Sequence, residues 1–153
     1  GDVMKESMNV AKTLAWSLLE KDTQISNVAD YEKTKTQGIH IHCPEGSVPK
    51  DGPSAGTAIT TAIYSLLSNR KIKNDFAITG EINLQGNVTA IGGLDLKIIG
   101  GIKAGVKNFI YPEENKKDFD EFMGKYGEKE ILNGISFHEK KHISEVFEII
   151  FEE

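Results

Sequence analysis

Apolar positions recur at three- and four-residue steps through Met4, Met8, Ala11, Ala15, Leu18 and Leu19. That period predicts an amphipathic helix over 2–21, with Asp2 as its N-cap. The polar stretch 22–37 lacks the period and reads as a loop with room for one short helical turn. Gly38-Ile-His-Ile-His-Cys43 alternates and is β-branched, so it reads as a strand. PEGSVPKDGP, 44–53, holds three of the four prolines and must be a loop. The helical period returns over 54–69, with Ala58, Ile59, Ala62, Ile63, Leu66 and Leu67 on the buried face. Short strands follow at 76–79, 82–84 and 88–91, the last two joined by a turn at 85–87. The remainder reads as a helix over 94–104, a strand over 107–111, a polar helix over 113–126 started by Pro112, a strand over 135–138 and a closing helix over 142–151. Strands alternating with helices define an α/β domain: a mixed sheet with flanking helices.

Composition narrows the class. The 153 residues suffice for one domain with a real core. The net charge is -5, and the lysines are scattered, which argues against a nucleic-acid partner. The lone Cys43 cannot pair internally, so a reducing, intracellular compartment is expected. No apolar run reaches membrane-spanning length and no signal peptide is visible. The first residue is Gly, which fits a piece of a longer chain. Eleven of the fifteen glycines fall between Gly38 and Gly105, and glycine serves where backbone turns sharply or approaches closely. The functional surface is therefore expected in that middle stretch.

Within it, PKDGPSAG places Ser54 between a stiff loop and a helix. A serine there is far more often an N-cap than a nucleophile. The helix start, however, offers unpaired N–H groups and a positive dipole end, which are the parts of an oxyanion hole. A nucleophile also needs a base. His40 and His42 share one face of their strand and are candidates, with His138 and His142 more remote in sequence. GxSxG is absent. Cys43 points to the other strand face, which weighs against a His40–His42–Cys43 metal site. The other candidate base is Lys97, flanked on its helix by Gly93, Gly100 and Gly101. Each such glycine costs a helix about 1 kcal/mol against Ala, so three of them suggest that another backbone comes close.

The strings HIHCPEGSVPKDGPSAG, AITGEINLQGNVTAIGGLDLK and IYPEENKKD resemble the proteolytic domain of Lon, the ATP-dependent protease. The resemblance runs over nearly the whole chain, and PKDGPSAG, the IGGL--K string and the P-EN motif in this order are specific to that family. It implies a serine-lysine peptidase dyad. The family's serine falls on Ser54 and its lysine on Lys97, three residues past Leu94. It also places Thr79 beside the dyad and Glu81 near it in a positional role. A Lon subunit carries an upstream ATPase module, which supplies ATP and magnesium binding. No GxxxxGK[ST] loop occurs here, so no cofactor is expected in this chain. The family's domain begins with strands before the helix that matches Asp2 to Leu19, so 1–153 reads as that domain without its first strands. Implied partners are unfolded polypeptide, an ATPase module in cis or in trans, and copies of the chain in a six-membered ring. Bacterial cytoplasm and mitochondrial matrix both fit.

The chemistry sets one demand. At an ordinary lysine pKa, near 10.4, only about 0.4% of the amine is neutral at pH 8. Lys97 should therefore be largely dry. Asp51 would oppose that by holding the ammonium charged, so the Lys50–Asp51–Gly52 loop is expected to have two positions, one with Asp51 on the dyad and one swung away. The oxyanion donors are expected between Gly52 and Ser54. The competing reading is a non-catalytic ring-forming or peptide-binding scaffold. An esterase is weaker still, because no apolar acyl pocket can be read from the sequence.

Overall fold

The computed structural model describes residues 1–34 and 38–153. The first helix, α1, spans Asp2–Leu18 and buries Ser7, Ala11, Leu14 and Ala15. Of the predicted stripe, Ala11, Ala15 and Leu19 are buried and Met4, Met8 and Leu18 are half-buried. Its N-cap is Gly1 and no side chain of its own caps it. Asp2 lies inside the first turn, so the expected Asp2 cap is corrected: Asp51 takes that role, as described below. The stretch read as a loop is also corrected. Lys21–Thr34 is a 14-residue helix, α2, with no buried residue. It is fastened by polar contacts, Asn27 Nδ2 donating to the Leu67 carbonyl at 2.9 Å and Gln24 Nε2 to the Trp16 carbonyl at 2.9 Å. Residues 35–37, the end of the expected loop, lie outside the described residues.

Residues 38–43 belong to no strand and form no ladder. Their alternation is real: Ile39, Ile41 and Cys43 are half-buried while His40 and His42 are exposed. Ile39 and Ile41 pack on the cluster of Ala11, Ala15 and Ile63. A period of two predicts an extended backbone, whereas a strand also needs a neighbour for its N–H and C=O groups. Among the described residues none runs alongside.

Helix α3 spans Gly56–Ser68 and crosses α1. Its expected buried face is corrected: Gly56, Thr57, Thr60, Thr61 and Ile63 are buried, while Ala62 and Leu66 are exposed. A parallel three-stranded sheet follows, in the order β1 (Phe76–Ile78), β4 (Asn108–Pro112), β5 (Ser136–Lys140). Between β1 and β4 the chain makes a separate antiparallel hairpin, β2 (Glu81–Ile82) with β3 (Val88–Thr89), and then α4 (Leu94–Lys103). A 3₁₀ turn, Glu113–Asn115, leads into α5 (Lys116–Tyr126), and α6 (Ile143–Ile150) closes the chain. The expected mixture of strand directions is thus divided between sheet and hairpin.

β4 shows how the layers form. Its side chains alternate, so Phe109 and Tyr111 face a cluster with Leu94, Ile98 and Phe122, under α4 and α5. Ile110 faces the opposite cluster with Val88, Ile143, Val146 and Ile150, under α6. The central strand is covered on both faces, and four of its five residues are buried.

Candidate active site

The site grows from the C-terminal end of β1. Thr79, just past that strand, donates its N–H to the Ile110 carbonyl at 3.1 Å. The next residue, Gly80, donates to the Ser54 carbonyl at 2.9 Å and accepts from Thr57 N–H at 3.0 Å. This lacing holds the turn before α3 against the sheet. Ser54 itself is half-buried and is not the helix cap: Ala55 is, and α3 begins at Gly56. The expectation of Ser54 as the N-cap is corrected by one residue. Its hydroxyl makes no hydrogen bond among the described residues. The N–H groups of Ser54 and Ala55 are likewise without a protein acceptor there, whereas Gly56 N–H bonds the Pro53 carbonyl at 3.1 Å.

Lys97 sits in the first turn of α4, its amide bonded to the Gly93 carbonyl at 3.1 Å. Ser54, Thr79 and Lys97 line one cavity of about 240 Å³, floored by Ala77, Ile98 and Phe109. Lys97 Nζ donates to Thr79 Oγ1 at 3.5 Å. Desolvation lowers the Lys97 pKa from its ordinary value. The residue as a whole is nevertheless exposed, so the expectation of a largely dry lysine is corrected to partial desolvation at the cavity mouth. The glycines around it also have other reasons than a close backbone. Gly93 adopts φ 69 as the α4 N-cap. Gly101 leaves room for the Phe109 ring, which would lie 2.5 Å from a Cβ. Gly100 meets nothing within 4 Å.

The other candidates lie outside this cavity. Asp51 accepts the Met4 N–H at 2.7 Å, in the first turn of α1. That bond, with help from the Gly52 amide, holds its carboxyl below the ordinary value. Asp51 therefore does for α1 what an N-cap side chain does, from 47 residues away. Gly52 turns the chain with φ 119. Glu81 is in β2, its carbonyl accepting from Thr57 Oγ1 at 3.3 Å. His40 and His42 line a different groove, along Ala58, Ala62 and Leu66 of α3, so they are not brought to Ser54. His138 stacks on Phe76, and His142 caps α6. No group of three or more metal-ligating side chains is assembled among the described residues. Nor is any helix there long and apolar enough to cross a membrane.

A cleft at the carboxyl end of a parallel strand, furnished with a hydroxyl, a partly desolvated amine and free backbone donors, is equipped for acyl chemistry. The family model for the Lon protease (S16) C-terminal proteolytic domain matches residues 1–153, and the chain belongs to that family. The Lon protease of Fusobacterium nucleatum is 44% identical over 99% of this chain, which corresponds to 18% of that protein. The Lon protease of Flavobacterium johnsoniae is 42% identical over 97% of the chain and 17% of the relative. A mitochondrial Lon protease homolog of Phaeodactylum tricornutum is 48% identical over 79% of the chain and 13% of the relative. The chain thus spans less than a fifth of the length of these relatives.

Proposed function

We propose that this chain is the peptide-bond-hydrolysing part of an ATP-dependent serine endopeptidase acting on unfolded or damaged polypeptide. The observation that carries the reading is the single cavity shared by the free Ser54 hydroxyl and the partly desolvated Lys97 amine. Neutral Lys97 takes the proton of Ser54 Oγ, which attacks the scissile carbonyl carbon. The N–H groups of Ser54 and Ala55 receive the developing oxyanion. The tetrahedral intermediate collapses as Lys97 returns its proton to the leaving amine. Lys97 then deprotonates a water that hydrolyses the acyl-enzyme. Substrate laid over the cavity mouth displaces water from the amine and completes its desolvation.

Thr79 supports Lys97, and Glu81 shapes the rim through β2. Asp51 is the proposed restraint. Its engagement with Met4 is the swung-away position of the Lys50–Asp51–Gly52 loop, and contact with Lys97 would be the idle one. Energy for unfolding the substrate comes from an ATPase module, in cis or in trans, with its own ATP and magnesium. Copies of the chain assemble as a ring, six in the family's manner. The compartment is cytoplasm or mitochondrial matrix, in keeping with the bacterial and mitochondrial relatives.

A peptide boronic acid titrated into the chain and into Ser54→Ala, with boron followed by NMR, tests this reading. Boron becomes tetrahedral when a nucleophile adds to it. A tetrahedral signal present in the parent and lost in Ser54→Ala is expected. Its absence from both would leave the scaffold reading in its place.

A further inference from the structure

Pro112, Glu114 and Asn115 make the P-EN motif that follows β4, and the reaction above uses none of them. Asn115 is 2% exposed. Its Oδ1 accepts the Ile91 N–H at 2.9 Å, and its Nδ2 donates to the Ile91 carbonyl at 2.8 Å and to Asp118 Oδ2 at 2.8 Å. One side chain thus makes both bonds that a neighbouring strand would make to Ile91. The amide cannot be turned over, because its oxygen would then face a carbonyl and a carboxylate. One residue back, Glu114 Oε1 accepts the Ala90 N–H at 3.1 Å.

This clamp falls where the ladder runs out. β3 ends at Thr89, so Ala90 and Ile91 have no strand beside them in the hairpin. Beyond Ile91 come Gly92 and Gly93, at neither of which a Cβ would touch anything, and then the first turn of α4 with Lys97. Two residues without side chains transmit position only through a backbone fixed upstream. Leu94 and Ile98 pack α4 onto the sheet from below, but non-directional packing resists sliding less than paired hydrogen bonds do.

We propose that Asn115, seconded by Glu114, is a positioning residue for Lys97: it clamps the backbone of Ala90 and Ile91 and so sets where the first turn of α4 delivers the amine. This rests on the reading of Ser54 and Lys97 as nucleophile and base. In reactions of this kind a displacement of about 1 Å costs about a hundredfold in rate. Apart from Lys97, the ordinarily titratable group among the cavity's described lining residues is Tyr111, whose hydroxyl donates to Glu139 and which burial keeps protonated. Asp95, two residues away on α4, is the nearby acid in the sequence of that helix.

The test is the pH dependence of covalent labelling of Ser54 by an alkyl fluorophosphonate. The Ser54 Oγ–P bond forms, P–F breaks, fluoride leaves and Lys97 takes the proton. Ser54→Ala and Lys97→Met are the blanks. Asn115→Ala is expected to label at least about tenfold more slowly at pH 8, with its acid limb displaced to higher pH as Lys97 moves into water. Glu114→Ala should shift the limb the same way by less. That sign is informative, since simple loss of a negative charge would shift it downward. Glu114→Gln keeps an acceptor oxygen for Ala90 and should show no shift of the limb to higher pH. A purely structural Asn115 would lower the melting temperature and the labelled fraction but leave the limb in place, which overturns the proposal. If Asn115→Ala does not fold, the exposed Glu114 decides: an unmoved limb in Glu114→Ala overturns it equally. A parent that labels no faster than Ser54→Ala removes the Ser54–Lys97 reading and this inference with it, whereas a labelled parent with unmoved variants removes the inference alone.

Discussion

The amine of Lys97 reaches Thr79 at 3.5 Å, the outer edge of hydrogen-bond distance, and that weak contact fixes what each residue contributes. Thr79→Val keeps the shape and removes the hydroxyl, so it should slow fluorophosphonate labelling of Ser54 by less than about tenfold, in line with a net hydrogen bond of about 1 kcal/mol. Lys97→Met removes the base and should bring labelling to the level of Ser54→Ala. Equal losses in the two variants would make Thr79 a participant rather than a support. Lys97 was legible in the sequence because its string is specific, but its exposure was not: solvent access depends on how the mouth of the cavity is built, and no local pattern encodes that.

At the scale of elements, α1 is capped across the fold. Asp51→Ala should lower the melting temperature near neutral pH by stripping the Met4 N–H of its acceptor, while Asp51→Asn, which keeps an oxygen, should lower it less. The Asp51 carboxyl is held below its ordinary value, so its stabilisation is present above that range and is lost as pH falls through the lowered value. Melting curves of parent and Asp51→Ala should therefore converge in acid. Asp51→Asn also tests the restraint: if the loop visits Lys97, the acid limb of labelling moves to lower pH, and an unmoved limb confines Asp51 to its capping role. Helix α4 offers a second contrast. Gly100→Ala meets open space and should stabilise by about 0.5–1 kcal/mol, whereas Gly101→Ala drives a methyl into the Phe109 ring and should destabilise by about 1–3 kcal/mol, both read from urea unfolding. Helices with an apolar period, α1, α3, α4 and α6, were readable along the chain, although the buried face of α3 was misplaced, since Thr57, Thr60 and Thr61 are buried there and Ala62 and Leu66 are exposed. α2 was not, because it buries nothing and is held by Asn27 and Gln24 reaching carbonyls elsewhere. Residues 38–43 failed in the opposite way, with the expected alternation of burial and no partner strand among the described residues. The P-EN motif was visible as a string, yet its work at Ala90 and Ile91, 24 residues upstream, was not.

Across the whole molecule, the site's two halves stand on different supports. Lys97 comes from α4, seated on the sheet through Leu94 and Ile98. Ser54 comes from the turn before α3, and that turn leans on α1: Ser7 Oγ donates to the Pro53 carbonyl at 3.5 Å, and a Cβ at Gly56 would lie 2.9 Å from Ser7 Oγ. Close approach of α1 to α3 is made possible by Ala11 and Ala15, both fully buried against Ile63. Widening that crossing should therefore move Ser54 relative to Lys97 even though no residue of the cavity is touched. Ala11→Leu inserts three carbons into a filled space and should cost about 1–3 kcal/mol. Ile150→Val, in the separate cluster under α6, should cost a comparable amount, about 0.5–1.5 kcal/mol. If the crossing sets the position of the serine, Ala11→Leu slows Ser54 labelling severalfold under conditions where both variants remain folded, and Ile150→Val does not. Equal labelling in the two variants would mean that the lacing of Gly80 to Ser54 and Thr57 alone holds the serine in register with the lysine.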